Sequence, residues 1–147
     1  MIPAEGKKMG RRFMSINQRE RTMEFTTQQI ADVTLIHIQG RIDHKTAKDF
    51  ENTLKPLLDE CVAGHYKKIL MDLGDVGFMT SAGLRVLMIA AKTCDEQKGE
   101  IAVAALQPLI KEIFKISRFD LILRVFPTVQ SALENLSPVA AAVYKDA

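Results

Sequence analysis

Ser81 has the neighbours a chemically useful hydroxyl needs. It stands in Thr80-Ser81-Ala82-Gly83-Leu84-Arg85, after the apolar pair Phe78-Met79 and ahead of Leu84, Leu87, Met88 and Ala91 at helical spacing. That pattern predicts a helix whose first turn carries two hydroxyls and a glycine. Thr80 or Ser81 can then cap the free backbone N–H groups, close to the positive end of the helix dipole. Gly83 lacks a side chain, which would let a partner surface approach the turn closely. Three chemistries suit such a serine. A nucleophile would need a Gly-x-Ser-x-Gly elbow, and here Met79 and Gly83 occupy the flanking positions. A cradle for a ligand phosphate would need a Gly-x-x-x-x-Gly-Lys loop, which the sequence does not contain. A phosphate acceptor needs only exposure, and would gain about −1.5 to −2 charges on modification. An ordinary helix cap is the plain alternative.

The remaining candidates do not assemble a catalytic set. Asp72 and Asp75 precede the serine, but acidic residues beside Gly74 and Gly77 read first as turn formers. His37, His44 and His65 show no i, i+4 pairing and no neighbouring cysteine, so neither a metal site nor a cofactor is expected. His37, inside a β-branched run, reads as an edge histidine or a satisfied core one. Cys61 and Cys94 are isolated residues at apolar helical positions and read as buried thiols, compatible with a reducing compartment.

The elements that must position Ser81 follow from periodicity. Residues 22–29 and 32–39 read as two strands with a turn at Ala31-Asp32, and Gly40 ends the second. From Lys45, Ala47, Phe50, Leu54, Leu57 or Leu58, and Cys61 recur at helical intervals. Asp43 can cap this helix, Pro56 predicts a kink or break near Lys55, and Gly64 supplies a stop. A short strand over 69–73 and a glycine-rich turn over 74–77 lead to the serine, and its helix ends near 97–99. A buried strand over 100–106, a helix from Pro108, a brief strand over 121–125 and a helix from Pro127-Thr128 complete the chain. The order is ββαβαβαβα: an α/β domain with a mainly parallel, mixed sheet of about five strands and about four helices. The carboxyl ends of parallel strands are where functional loops gather, and the serine, Gly40–Asp43 and the turn after Leu106 all fall there.

Composition limits the function classes. The chain has 147 residues, 47% apolar and 26% charged, which suits one soluble domain. Its net charge of +2 comes from the N-terminus: Lys7, Lys8, Arg11, Arg12, Arg19 and Arg21 stand against Glu5 and Glu20. The remainder is mildly acidic, and aromatic residues do not interleave with basic ones, so direct nucleic-acid binding is not expected. No apolar run reaches the ~20 residues of a membrane helix, and no signal-peptide core is present, so a cytoplasmic protein is expected. Residues 1–21 read as a flexible basic extension, 22–137 as the domain, and 138–147 as a tail that frays or extends the last helix.

The run Asp72-Leu73, then Phe78-Met79-Thr80-Ser81-Ala82-Gly83-Leu84-Arg85-Val86-Leu87, resembles the signature of the STAS domain of bacterial anti-sigma factor antagonists. Gly40-Arg41-Ile42-Asp43 is similar to that family's Gly-x-(Leu/Ile)-Asp turn, and the resemblance spans residues 23–136. It implies a non-enzymatic, phosphorylation-controlled binding module. In its unphosphorylated form the module would bind an anti-sigma factor that is itself a serine kinase, releasing a sigma factor. Phosphorylation of Ser81 would abolish binding, and a PP2C-type phosphatase would restore it. Many family members carry aspartate before the serine. Here Thr80 stands there, a second candidate for the phosphate. The partner-binding surface implied comprises Asp43, Thr80, Ser81, Ala82, Gly83, Leu84 and Arg85. Two other roles remain open: a STAS subunit of an anion- or lipid-transport complex, and a non-phosphorylated signalling scaffold.

Overall fold

The computed structural model describes residues 12–15, 23–61 and 68–146. Six strands lie in one sheet in sequence order: β1 (Arg12–Ser15), β2 (Met23–Ile30), β3 (Val33–Ile42), β4 (Lys68–Met79), β5 (Glu100–Ala104) and β6 (Arg124–Phe126). β1/β2 and β2/β3 are antiparallel, and β3 to β6 are parallel. The helices are α1 (Ala47–Asp59), α2 (Ser81–Glu96), α3 (Pro108–Ile116), α4 (Val129–Leu136) and α5 (Pro138–Asp146). The expected α/β class and element order hold, with a strand added at one end of the chain and a helix at the other.

Alternation along the strands divides the core between two faces. Phe25, Ile36, Ile38, Ile69, Met71 and Val103 point to one side, where α1, α2 and α3 cover them with Phe50, Leu54, Leu87, Ala90, Ile110 and Phe114. Val33, Leu35, Leu70, Ala102 and Ala104 point to the other, beneath Ala132, Leu133, Leu136, Ala140 and Ala141 of α4 and α5. Parallel strands buried on both faces read as continuous apolar runs, which is why β4 and β5 were legible.

Several expected boundaries move. Gly74–Gly77 is not a turn: β4 continues through it to Met79. Twelve residues of β4 run beside ten of β3, and two register shifts absorb the difference, between His37/Gln39 and Gly40/Arg41. His37 holds the first shift, with Nδ1 3.1 Å from Asp72 Oδ2 and Nε2 2.9 Å from Asp75 Oδ2, while the Gly74 N–H donates to Asp72 Oδ1 at 3.0 Å. Gly40 does not end β3. It sits within the strand at φ 112°, where a side chain would be strained. Pro56 does not break α1, because Pro56 and Asn52 are both on the exposed face. The strand expected over 121–125 is replaced by a 3₁₀ turn, Phe119–Leu121, before the shorter β6. Gly64 and His65 lie outside the described residues.

Both expected flanking segments contain structure. Arg12–Ser15, expected within a flexible extension, pairs antiparallel with β2 in the register Arg12↔Thr27 to Ser15↔Glu24. Residues 138–146 form a helix of their own rather than a frayed tail. Ser137 Oγ accepts from the Ala140 N–H at 3.2 Å and donates to Asp32 Oδ1 at 2.5 Å. The Lys68 ammonium joins the same junction, 3.4 Å from Asp32 Oδ2, and donates to the Leu136 carbonyl at 2.5 Å. These contacts hold the α4–α5 corner against the β2–β3 turn and the start of β4.

Candidate functional site

The serine is held where the ends of β3 and β4 meet α2. After its two register shifts, the β3/β4 pairing continues to the last residue of each strand, Ile42 opposite Met79. The Thr80 N–H then donates to the Ile42 carbonyl at 2.9 Å, and the Leu84 N–H donates to the Thr80 carbonyl at 3.0 Å, opening α2. One residue, Thr80, therefore separates strand from helix, where the sequence predicts a strand ending at 73 and a glycine-rich turn over 74–77 before the serine. Asp43 and Ser81 are the residues immediately following the two ends of the Ile42–Thr80 bond. The structure thus brings the two sequence-predicted segments, Gly40–Asp43 and Thr80–Arg85, to one edge.

Thr80 occupies the N-cap position with extended backbone, yet its side chain makes no capping bond; Oγ1 instead reaches the Ile42 carbonyl at 3.5 Å. Thr80 therefore leaves the first-turn N–H groups of α2 without a side-chain cap from the N-cap position. Ser81 is the first helical residue, exposed, and its hydroxyl has no hydrogen-bond partner among the described residues. Arg85 is exposed one turn along the same face, while Ala82 and Leu84 are half-buried.

Gly83 plays a different part from the one expected. It is buried, and a Cβ there would stand 2.6 Å from Ile42 Cγ2 and 2.9 Å from Met79 Cγ. The missing side chain admits Ile42, not a partner. The glycine therefore seats the first turn of α2 directly on the end of β3.

Asp43 is largely occupied within the protein. Its side chain is 14% exposed. Oδ1 accepts from the N–H groups of Lys45 at 3.0 Å and Thr46 at 3.2 Å. Thr46 completes the turn by accepting from the Asp43 N–H at 3.0 Å and donating to the Arg41 carbonyl at 3.2 Å. Asp43 thus satisfies the backbone ahead of α1, although Thr46 is the residue at the N-cap position. Partial burial pushes its carboxyl pKa up, but those N–H donors, with the charges of Arg41 and His44, outweigh it and leave the pKa below the ordinary value.

Sequence reasoning missed the supports of this edge. Arg41 lies over the Phe78 ring at 4.3 Å from the centroid, with Nε 3.8 Å from Asp43 Oδ2. Gln107, ahead of α3, donates from Nε2 to the Gly74 carbonyl at 2.9 Å, bracing the bulged part of β4. No local pattern marks either contact, because both depend on the β3/β4 register and the β5–α3 connection. Among the described residues no cluster of three or more His, Cys, Asp or Glu side chains is arranged for a metal ion, and no helix is long and apolar enough to cross a membrane.

Comparison with known proteins agrees with this architecture. The STAS domain family model matches residues 24–132. BtrV of Bordetella bronchiseptica, a protein named as an anti-sigma factor antagonist, is 30% identical over 125 residues, covering 85% of this chain and 97% of that one. A Thermotoga maritima protein described as an anti-sigma factor antagonist superposes with a TM-score of 0.69 at 20% identity, over 76% of this chain and 93% of that one. SpoIIAA superposes in its unphosphorylated form with a TM-score of 0.64 at 15% identity, over 78% and 96% of the two chains. Its phosphorylated form, described as a Bacillus cell fate determinant, does so with a TM-score of 0.59 at the same identity, over 76% and 98%. The strand–serine–helix edge, the fold around it and the sequence match converge: the chain belongs to the STAS-domain family of anti-sigma factor antagonists.

Proposed function

We propose that this protein binds an anti-sigma factor through the edge formed by Asp43 and the start of α2, and that phosphorylation of Ser81 switches the binding off. The observation that carries the reading is the Ser81 hydroxyl: exposed, without a hydrogen-bond partner among the described residues, and held on a short junction of two strands and a helix. A kinase can reach it without unfolding anything. The phosphate is tolerated within the domain because it lies at the uncapped N-terminus of α2 with Arg85 one turn away. Its cost falls on the complex. A dianion desolvated against an apolar or acidic partner surface loses on the order of 2–5 kcal/mol, tens to thousands of fold in affinity. Thr80 is the second-choice acceptor, but its half-buried Oγ1 faces the Ile42 carbonyl, which favours Ser81. The anti-sigma factor is the kinase in this scheme and a PP2C-type phosphatase reverses the step; the protein is a substrate and not a catalyst.

The test is phosphate mapping by mass spectrometry on protein from its native host, with and without phosphatase treatment. Phosphatase-sensitive phosphate on Ser81 is the expected result. Phosphate confined to Thr80 would move the switch by one residue. Its absence under both growth and stress would remove the switch.

A further inference from the structure

Cys61 and Cys94 come from different elements and meet in the core. Cys61 follows α1, Cys94 lies in the last turns of α2, and both are fully buried. Their sulfurs are 3.1 Å apart, with the Cys94 thiol donating to Cys61 Sγ and the Cys61 thiol donating to the Glu100 carbonyl at 3.3 Å. We propose that this pair is a redox-sensitive cross-link site, closed to an intramolecular disulfide by a peroxide and reopened by a dithiol.

The surrounding backbone holds the sulfurs in position. The Gln97 side-chain amide donates to the carbonyls of Leu58 at 2.8 Å and Cys61 at 2.9 Å, fastening the end of α1 to the end of α2. Gly99 presses on the same residue, since a Cβ there would stand 2.2 Å from the Cys61 carbonyl oxygen. The Gly99 N–H donates to the Cys94 carbonyl at 2.8 Å, so one short turn touches both cysteines. Closing the pair requires the sulfurs to approach by roughly 1 Å to reach the ~2.05 Å of a disulfide.

The two cysteines have unequal roles. The hydrogen bond from Cys94 lowers the pKa of Cys61, and the same bond together with burial raises that of Cys94. The Cys94 thiol donates to Cys61 Sγ, which places Cys61 to attack and Cys94 to resolve. The Cys61 thiolate takes one peroxide oxygen, the O–O bond breaks, and the departing hydroxide is protonated to water, leaving a sulfenic acid. The Cys94 sulfur then displaces hydroxide from Cys61. The S–S bond forms as the S–O bond breaks, and the Cys94 proton leaves with the hydroxide as a second water. Two thiols lose two electrons in all, and one peroxide is reduced. The cysteines lie 33 residues apart in sequence, so the closed loop contains β4 and Ser81 and ties α1 to the helix that carries the serine.

The test is graded hydrogen peroxide treatment of the full chain, followed by intact mass, thiol counting with a maleimide, a non-reducing gel and thermal melting. The expected result is a loss of about 2 Da with both thiols blocked, in a monomer. Tm should rise by several degrees, and dithiothreitol should reverse the changes. Cys61→Ser and Cys94→Ser should each abolish the 2 Da loss and the rise in Tm. A gain of about 32 Da on one cysteine without cross-linking would overturn the proposal. So would a disulfide-linked dimer, or a folded chain that keeps both thiols under peroxide sufficient to oxidise the denatured one.

Discussion

Gly83 and Ile42 are in contact across the junction of α2 and β3, with room for no atom between them: a Cβ on the glycine would stand 2.6 Å from Ile42 Cγ2. Because Thr80 is hydrogen-bonded to the carbonyl of the same isoleucine, Ile42 sets both the start of α2 and the depth at which its first turn sits. The position of Ser81 depends on a residue 39 places earlier in the chain.

Gly83→Ala tests that relationship through stability. Alanine in place of glycine favours a helix by about 1 kcal/mol, but overpacking a filled site costs about 1–3 kcal/mol. Ile42 is β-branched and cannot easily turn aside, so the clash should win, by up to about 2 kcal/mol, read as a lower urea midpoint. Ile42→Ala alone should cost about 2–5 kcal/mol through the cavity it leaves. Combined with Gly83→Ala it should cost less than the two losses added, because the new methyl enters that cavity. Strict additivity would show that the two residues do not share the site.

Ser81→Asp separates stability from binding. A carboxylate on the first residue of an uncapped helix should leave the fold unchanged or stabilise it by about 0.3–1 kcal/mol. Calorimetric titration with the anti-sigma partner should show affinity reduced at least tenfold. Ser81→Ala should bind nearly as the parent does while taking up no phosphate at that position. Equal affinities for the Asp and Ala variants would remove the electrostatic switch.

Two aspartates give the fold a predictable acid limit. Burial raises the Asp32 pKa, but the hydrogen bond from Ser137 and the Lys68 charge outweigh it, so it lies below the ordinary value, as does that of Asp43. Folding therefore favours both in the charged form. Their contribution is fully present above the unfolded value of about 3.9 and is lost as pH falls through the lower folded values. Asp32→Asn and Asp43→Asn should each be less stable than the parent at neutral pH. Urea midpoints measured toward pH 3 should show that gap closing, and a gap that widened with acid would contradict the assignment.

Helix α5 should behave as part of the domain. Ala140 is fully buried against the face formed by Val33, Leu70 and Leu133. Ala140→Glu would place an unpaired charge there and should cost several kcal/mol. Removing residues 138–147 should also lower Tm, since it exposes Leu136 and takes away the Ala140 N–H that Ser137 Oγ accepts from. Thermal melting of both variants checks this, and an unchanged Tm after truncation would make the helix an appendage.

The sequence by itself determined the α/β class, the order of most elements and the serine edge. Those features are written locally, in the apolar runs of Leu70–Leu73 and Ile101–Ala104, the helical spacing after Ser81, and the two short motifs at 40–43 and 80–85. What only the tertiary structure decided rests on pairs distant in the chain. Gly74–Gly77 resembled a turn because glycine marks turns, yet strand pairing with β3 and the His37 bridge to Asp72 and Asp75 keep it in the sheet. Gly83 resembled an open surface until Ile42 was found to fill it. The last ten residues resembled a tail until Asp32, 105 positions before Ser137, supplied the partner that anchors them. Propensity and periodicity report on neighbours in sequence, whereas register, close packing and buried hydrogen bonds are set by neighbours in space.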